Sequence, residues 1–365
     1  MKRMLYISYV DYGSQEDLGV IKKIEGQKNA FSKAGYQIDH LKLKGNDVYV
    51  NTEHVFSFRN KVDYWIRLPL QLQSYFAKNT TPFYELVYVR KTFFNPLYYF
   101  LFKRLQAGSN YILLEVPTYP YTMELQGGWR RIISLMDSLN NFFIRKKLFR
   151  VITTQDYPKI LGVDTIQIKN GYDFSIERPI KRNRMDNAVR LITVANFNFW
   201  HGIDRLFYGL KNYNDHTRKK VNIVIHLVGG GKELPNLKRL AAKLKLDNLI
   251  FHGPKYGTAL DEVYANADIG VGVLGLYRKG LDFTSSLKNM EYAYYGLPFI
   301  IGNQDKDIQD CKFVLRVPND NSPINFNEVI DWFGALDVSP DEIRNKGKEL
   351  YSWDKQVGII LNSLG

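Results

Sequence analysis

Residues 278–300, RKGLDFTSSLKNMEYAYYGLPFI, hold the densest set of groups able to do chemistry on an anion. Ser285 and Ser286 are residue types that cap a helix, here one beginning near Leu287. The free N–H groups of a helix start attract negative charge. Lys288 stands in that first turn, where the helix dipole disfavours a cation. The placement makes sense if a phosphate lies beside it. Glu291 follows one turn later, placed to accept hydrogen bonds from a diol such as a ribose. Gly296-Leu-Pro ends the helix and turns into a strand. Arg278 and Lys279 add positive charge upstream. Without a ligand the same residues make an ordinary capped core helix, and spacing alone leaves both readings open.

Other candidates are weaker. Gly13 and Ser14 follow the first strand, at the end where open α/β sheets bind ligands, although a plain turn has the same composition. Gly229-Gly230-Gly231 continues into Lys-Glu-Leu, so it lacks the G-x-G-x-x-G of a dinucleotide site. Asp305 and Asp307 are spaced like a metal-binding carboxylate pair but sit in a polar loop, and no metal is expected there. Nucleophile elbow, phosphate-loop lysine and helical histidine-pair motifs are all missing.

Apolar strand runs alternating with helix-period runs must position these groups. A strand over 5–10 leads through Asp11-Tyr-Gly-Ser into a helix marked by Val20, Ile24 and Phe31, closed by Gly35 and followed by a strand over 36–43. Strands over 85–89, 111–116 and 150–154 alternate with helices over 96–105 and 129–149. A polar stretch, 178–187, reads as a linker. Alternation then resumes, with strands at 191–194, 221–228, 248–252, 269–273 and 299–301. Such repeated units build parallel sheets, so two doubly wound α/β halves are expected.

The whole chain agrees with this. Its 365 residues suit two domains rather than one core. A single cysteine, Cys311, rules out an internal disulfide and fits a reducing compartment. Met1-Lys2-Arg3 and the short tyrosine-rich run after it read as a first strand rather than a signal peptide. No apolar run reaches the ~20 residues of a spanning helix. The formal charge of +13 favours an anionic partner. The first 180 residues hold 25 basic against 16 acidic side chains. Arg130, Arg131, Arg145, Lys146, Lys147 and Arg150 lie among Ile, Leu and Phe, and Arg90, Lys91, Lys103 and Arg104 surround a Phe- and Tyr-rich run. That mixture suits a membrane surface carrying anionic lipid, while a solvated rim around a plain core is the alternative. Nucleic-acid binding is not expected, because the basic residues form no recognisable reader motif.

Residues 275–300 resemble the donor-site signature of the family 4 glycosyltransferases of GT-B fold, in the capsule and exopolysaccharide branch of bacteria. Ala195-Asn-Phe-Asn-Phe-Trp-His-Gly-Ile-Asp-Arg-Leu206, Leu227-Val-Gly-Gly-Gly231 and Phe251-His-Gly253 resemble the corresponding loops of the C-terminal domain. Residues 115–124 and 168–173 resemble N-domain and hinge segments. The resemblance implies two Rossmann-like domains facing a central cleft: 1–180 for the acceptor, 181–345 for a nucleotide sugar, and a C-terminal helix, 346–365, able to pack back on the first. It implies retaining transfer of a hexose from a UDP- or GDP-linked donor, without metal or other cofactor.

On this resemblance Lys288 would hold the diphosphate and Glu291 the ribose. Gly13, Ser14, Asn196, Gly230, Phe251, Gly253, Arg278, Ser285, Ser286 and Leu287 would line the donor, with His201 donating to a phosphate. Tyr119, Tyr121 and Glu124 would meet the acceptor sugar. Two departures stand out. Phe283 occupies the place of the first glutamate of the family's pair, and Asn196 and His201 replace its usual arginine and lysine. The expected protein is therefore a hexosyltransferase working on a lipid-linked saccharide at the cytoplasmic face of the plasma membrane. A non-catalytic carbohydrate- or membrane-binding relative and a sugar-nucleotide epimerase are the alternatives.

Overall fold

Strict alternation along the first strand decides how the N-terminal unit is layered. In β1 (Lys2–Asp11) Leu5 and Ile7 enter one apolar cluster, while Met4 and Tyr6 enter another on the opposite face. A strand buried on both faces needs helices on both. The computed structural model describes residues 2–14, 17–78, 83–119, 130–174, 188–217, 221–282 and 286–365, apart from the side chains of 130, 131 and 306. The linker 178–187 and the candidates Tyr121, Glu124, Phe283 and Ser285 lie outside these residues.

The first unit comprises 1–171 and 353–365. After β1 come α1 (Leu18–Lys33), β2 (Tyr36–Lys44), β3 (Asp47–Val50), β4 (Glu53–Ser57), α2 (Lys61–Lys78), β5 (Tyr84–Arg90), α3 (Tyr98–Ala107), β6 (Ser109–Val116), α4 (Arg130–Ile144), β7 (Arg150–Thr153), β8 (Lys159–Ile160) and β9 (Val163–Gln167). Among the described residues the sheet runs β4-β3-β2-β1-β5-β6-β7-β9-β8, parallel from β2 to β9, with antiparallel β3, β4 and β8 at its edges. The hairpin of β3 and β4, together with α2, fills a stretch in which no element was expected. The helix expected over 129–149 stops at Ile144. A 3-10 turn, Arg145–Lys147, follows, and Leu148 becomes extended as its side chain enters the core.

The second unit comprises 172–352. It contains β10 (Ala188–Val194), α5 (Ile203–His216), β11 (Asn222–Val228), α6 (Leu234–Leu244), β12 (Leu249–Gly253), α7 (Thr258–Ala265), β13 (Ile269–Val271), α8 (Leu287–Tyr294), β14 (Phe299–Ile301), β15 (Val314–Arg316), α9 (Phe326–Gly334) and α10 (Pro340–Tyr351). Its parallel sheet is ordered β12-β11-β10-β13-β14-β15. Leu191 of β10 packs into one apolar cluster with Leu206, Leu210 and Leu237, and Ile192 packs into the other with Met290 and Tyr292. Both units are thus Rossmann-like parallel-sheet α/β layers, as the alternation predicts.

The C-terminal stretch is two helices rather than one. Ser352 is extended after α10 and separates it from α11 (Trp353–Asn362), which belongs to the first unit. Trp353 packs against the backbone at two glycines. A Cβ at Gly26 would lie 2.4 Å from its ring, and one at Gly171 would lie 2.5 Å away. Only hydrogen fits at either position.

Candidate functional site

The C-terminal ends of β10, β11 and β12 are laced by backbone. The N–H of Phe197 donates to the Gly230 carbonyl at 2.6 Å, and the N–H of Gly229 donates to the Gly253 carbonyl at 2.8 Å. Gly231 has φ +122°, and a Cβ there would meet the Phe197 nitrogen at 2.3 Å, so this crossing requires glycine. The Asn196 side chain is exposed at this crossing. Gly253, at φ +68°, ends β12. Phe251 is half-buried, its ring edge-on to Phe207 at 6.5 Å, so its side chain belongs to the core.

His201 closes a 3-10 turn, Phe199–His201, that follows β10. The Asn198 N–H donates to its Nδ1 at 3.0 Å. In the neutral ring the proton must then sit on Nε2, which is left as a donor. Burial first, and the neighbouring Lys288 charge second, push the His201 pKa down to about 3, so the ring is neutral at physiological pH. The next residue, Gly202, has φ +67°, and a Cβ there would lie 2.6 Å from the Gly275 nitrogen. A side chain would therefore drive this turn away from the loop after β13.

Ser286 caps α8, its Oγ accepting the Lys288 N–H at 3.3 Å. Leu287 is about half exposed at the helix start. Lys288 has a half-buried stem, but its Nζ is shielded from solvent and has no hydrogen-bond partner among the described residues. Burial lowers its pKa from 10.5 to about 7, against the pull of Glu291. A buried ammonium without a hydrogen-bond partner is costly. Glu291, one turn on, accepts from the Tyr172 hydroxyl at 3.4 Å. Burial first, then the Glu291 charge, raise the pKa of Tyr172 and Tyr264, which marks both as facing this carboxylate. Lys288 thus lies within electrostatic reach of both His201 and Glu291.

Arg278 has a different task. Its guanidinium makes a double contact with Asp204, at 2.8 Å to each oxygen, and also donates to the Phe199 carbonyl, Asn321 and the Tyr277 hydroxyl. All five of its N–H groups are occupied. Through these contacts it braces the turn that carries His201 against α5.

Three neighbours escaped sequence reasoning. Asn198 sets the His201 tautomer, and its signal was the Asn-x-x-His spacing of a capping box. Asn289, beside Lys288, is 1% exposed with neither Nδ2 nor Oδ1 partnered among the described residues. An amide among the apolar residues of a short helix was its only trace. Tyr172 lies 119 residues from Glu291 and left no local signal.

In the first unit, Asp11 organises the loop after β1, accepting the N–H groups of Gly13 and Gly45 at 2.8 and 2.9 Å. Gly13 is exposed and the Ser14 N–H donates to the Asp11 carbonyl at 3.1 Å. Tyr119 donates its N–H to Gln155 and stacks edge-on to Tyr157 at 5.1 Å.

Residues 175–308 match the family model described as glycosyl transferases group 1. No curated protein matches the sequence. Solved structures similar in fold include sucrose-phosphate synthase from Thermosynechococcus elongatus, 16% identical, with a TM-score of 0.61 over 100% of this chain and 99% of that one. A glycosyltransferase from Rickettsia africae is 12% identical, with a TM-score of 0.64 over 100% and 97%. Anabaena HepE in complex with UDP and glucose is 11% identical, with a TM-score of 0.53 over 100% of both chains. Residues 175–308, all within the second unit, thus match the group 1 glycosyltransferase model, and the chain, with its two parallel-sheet Rossmann-like units, shares the GT-B fold of these solved structures.

Proposed function

We propose that the chain is a retaining hexosyltransferase that takes its sugar from a UDP- or GDP-linked donor without a metal ion. The observation that carries this reading is the Lys288 ammonium, buried and unpartnered among the described residues, one turn before Glu291. A diphosphate at the start of α8 supplies the hydrogen-bond partner that Lys288 Nζ lacks among the described residues, with a full counter-charge. The Nε2–H of neutral His201 adds a hydrogen bond to it. As the glycosidic bond breaks, negative charge grows on the leaving diphosphate, and these donors, already oriented, stabilise it. Glu291, steadied by Tyr172, accepts from the ribose hydroxyls. No separate protein nucleophile is assigned. A donor phosphate oxygen takes the proton of the acceptor hydroxyl, and that hydroxyl attacks from the same face.

The acceptor in this reading is a lipid-linked saccharide of bacterial surface polysaccharide synthesis, met at the cytoplasmic face of the membrane. The charge and aromatic content of the first unit support that placement, with Tyr119, Tyr121 and Glu124 as the acceptor contacts. One observation favours a second reading, a non-catalytic binding protein on the same fold: Phe283 stands where the family carries a glutamate.

A thermal-shift panel of UDP, GDP and their sugars, run with a chelator, tests the proposal. The melting temperature should rise with one nucleoside diphosphate, and the rise should vanish in Lys288→Ala and Glu291→Ala. No shift with any nucleotide would remove the reading. A shift without turnover on any lipid-linked acceptor would favour the non-catalytic one.

A further inference from the structure

Helix α4 is built inside out. Its outward positions are Ile132, Leu135, Leu139, Phe142 and Phe143, exposed by 48, 62, 47, 56 and 51%. They recur every three or four residues and form one stripe. Its inward positions include Asp137, Asn140 and Asn141, all buried. The Asp137 carboxylate accepts from Lys91 Nζ at 2.5 Å, the Phe94 N–H at 2.7 Å and Asn141 Nδ2 at 2.8 Å. Lys91 and Asp137 are each 3% exposed at the side chain. Rotating α4 to bury the stripe would break this hub and leave two buried charges apart, so the outward orientation of the apolar face is enforced.

The stripe continues onto α3. Phe143 meets Tyr99 at 6.2 Å, Tyr99 meets Phe100 at 5.6 Å, and Phe100 is 51% exposed. Cations border it. The Arg145 guanidinium lies 4.2 Å from the Phe142 ring centroid and Lys147 Nζ lies 4.8 Å from that of Tyr99. Lys103 and Lys146 are exposed nearby in sequence. Across residues 98–107 and 130–147 the only carboxylate is Asp137, which is buried. An apolar centre with a cationic border and no exposed carboxylate complements an anionic bilayer. A second copy on the same face would set like charges against each other.

We infer that the outward face of α4, with Tyr99 and Phe100, seats the first unit on an anionic lipid membrane. The inference deepens the lipid-linked acceptor reading and rests on it only for why the protein goes to a membrane. The test is co-sedimentation of the full chain with phosphatidylcholine vesicles, with and without about 30 mol% phosphatidylglycerol. Wild type should partition at least about tenfold better to the anionic vesicles, with the preference falling as salt rises. Leu135→Gln with Phe142→Gln should lose at least about tenfold in partitioning at an unchanged melting temperature. Arg145→Glu with Lys147→Glu should lose the preference for anionic lipid. The nucleotide-induced thermal shift, read on each variant, should be unaffected. No sedimentation of wild type with anionic vesicles overturns the inference, as does equal partitioning of the variants. A wild-type dimer that the Leu135/Phe142 variant abolishes overturns it in favour of a second copy. Vesicle binding by a chain that binds no nucleotide upholds this surface and removes the donor-site reading instead.

Discussion

Replacing Lys288 with methionine should stabilise the ligand-free protein while destroying the proposed nucleotide site. The side chains have similar length, so packing is nearly kept. The lysine pKa falls from 10.5 unfolded to about 7 folded. Each pH unit of such a difference corresponds to about 1.4 kcal/mol, so burying the ammonium costs at most about 5 kcal/mol. The half-buried stem lets the side chain relax toward water, and about 2 kcal/mol is the working figure. For a unit of this size that is a rise in melting temperature of about 4–8 °C. The sign follows from the direction of the depression. The unfolded chain holds the proton up to 10.5 and the folded one only to about 7, so the cost is fully present below pH 7 and gone above 10.5. The advantage of Lys288→Met should therefore shrink as pH rises from 7 to 10.5. Melting scans of both proteins across that range, with and without UDP and GDP, give the answer. A lower melting temperature in the variant at pH 7, or a retained nucleotide shift, would refute the reasoning.

Two other outcomes follow from the first unit. Glu115 is buried between Lys23, at 2.8 Å, and Arg90, at 3.1 Å. Burial alone would raise its pKa, but Lys23 and then Arg90 outweigh it and hold the group at about 2, from 4.5. Its contribution of about 3 kcal/mol is present above pH 4.5 and lost as pH falls toward 2. Glu115→Gln should cost about 3–5 kcal/mol in urea unfolding at pH 7, because two cations lose their partner, and should flatten the acid limb of the stability curve. Trp353→Ala should cost about 3–5 kcal/mol in the same assay and expose α11 to proteolysis, since the ring fills the space left by Gly26 and Gly171.

The parallel layers were legible because buried strands and their helices carry period and length in the local sequence. The stretch between β2 and β5 was not. A hairpin of short strands and a helix interrupted by Pro69 give weak periodicity, and their packing partners are distant in sequence. In the site, Ser286, Lys288 and Glu291 share one helix and could be read from spacing. The neutrality of His201 depends on burial and on Lys288, 87 positions away, which no local pattern reports. Arg278 pairs with Asp204, 74 positions away, which no local pattern reports either. For α4 the amphipathic pattern is plain in sequence, while the Lys91–Asp137 hub shows which face turns outward.

The central claim is that a diphosphate partners the buried Lys288 Nζ. Calorimetric titration of the full chain with a UDP- or GDP-sugar at pH 8, with a chelator and in two buffers of different ionisation enthalpy, tests it most directly. The free amine, with its pKa near 7, is largely neutral at that pH, and a bound diphosphate restores its proton. Binding should take up a proton in part, more at pH 8 than at pH 6, and Lys288→Met should show neither the uptake nor the affinity. Binding with no proton uptake and equal strength in the variant, or no binding in wild type, would contradict the account.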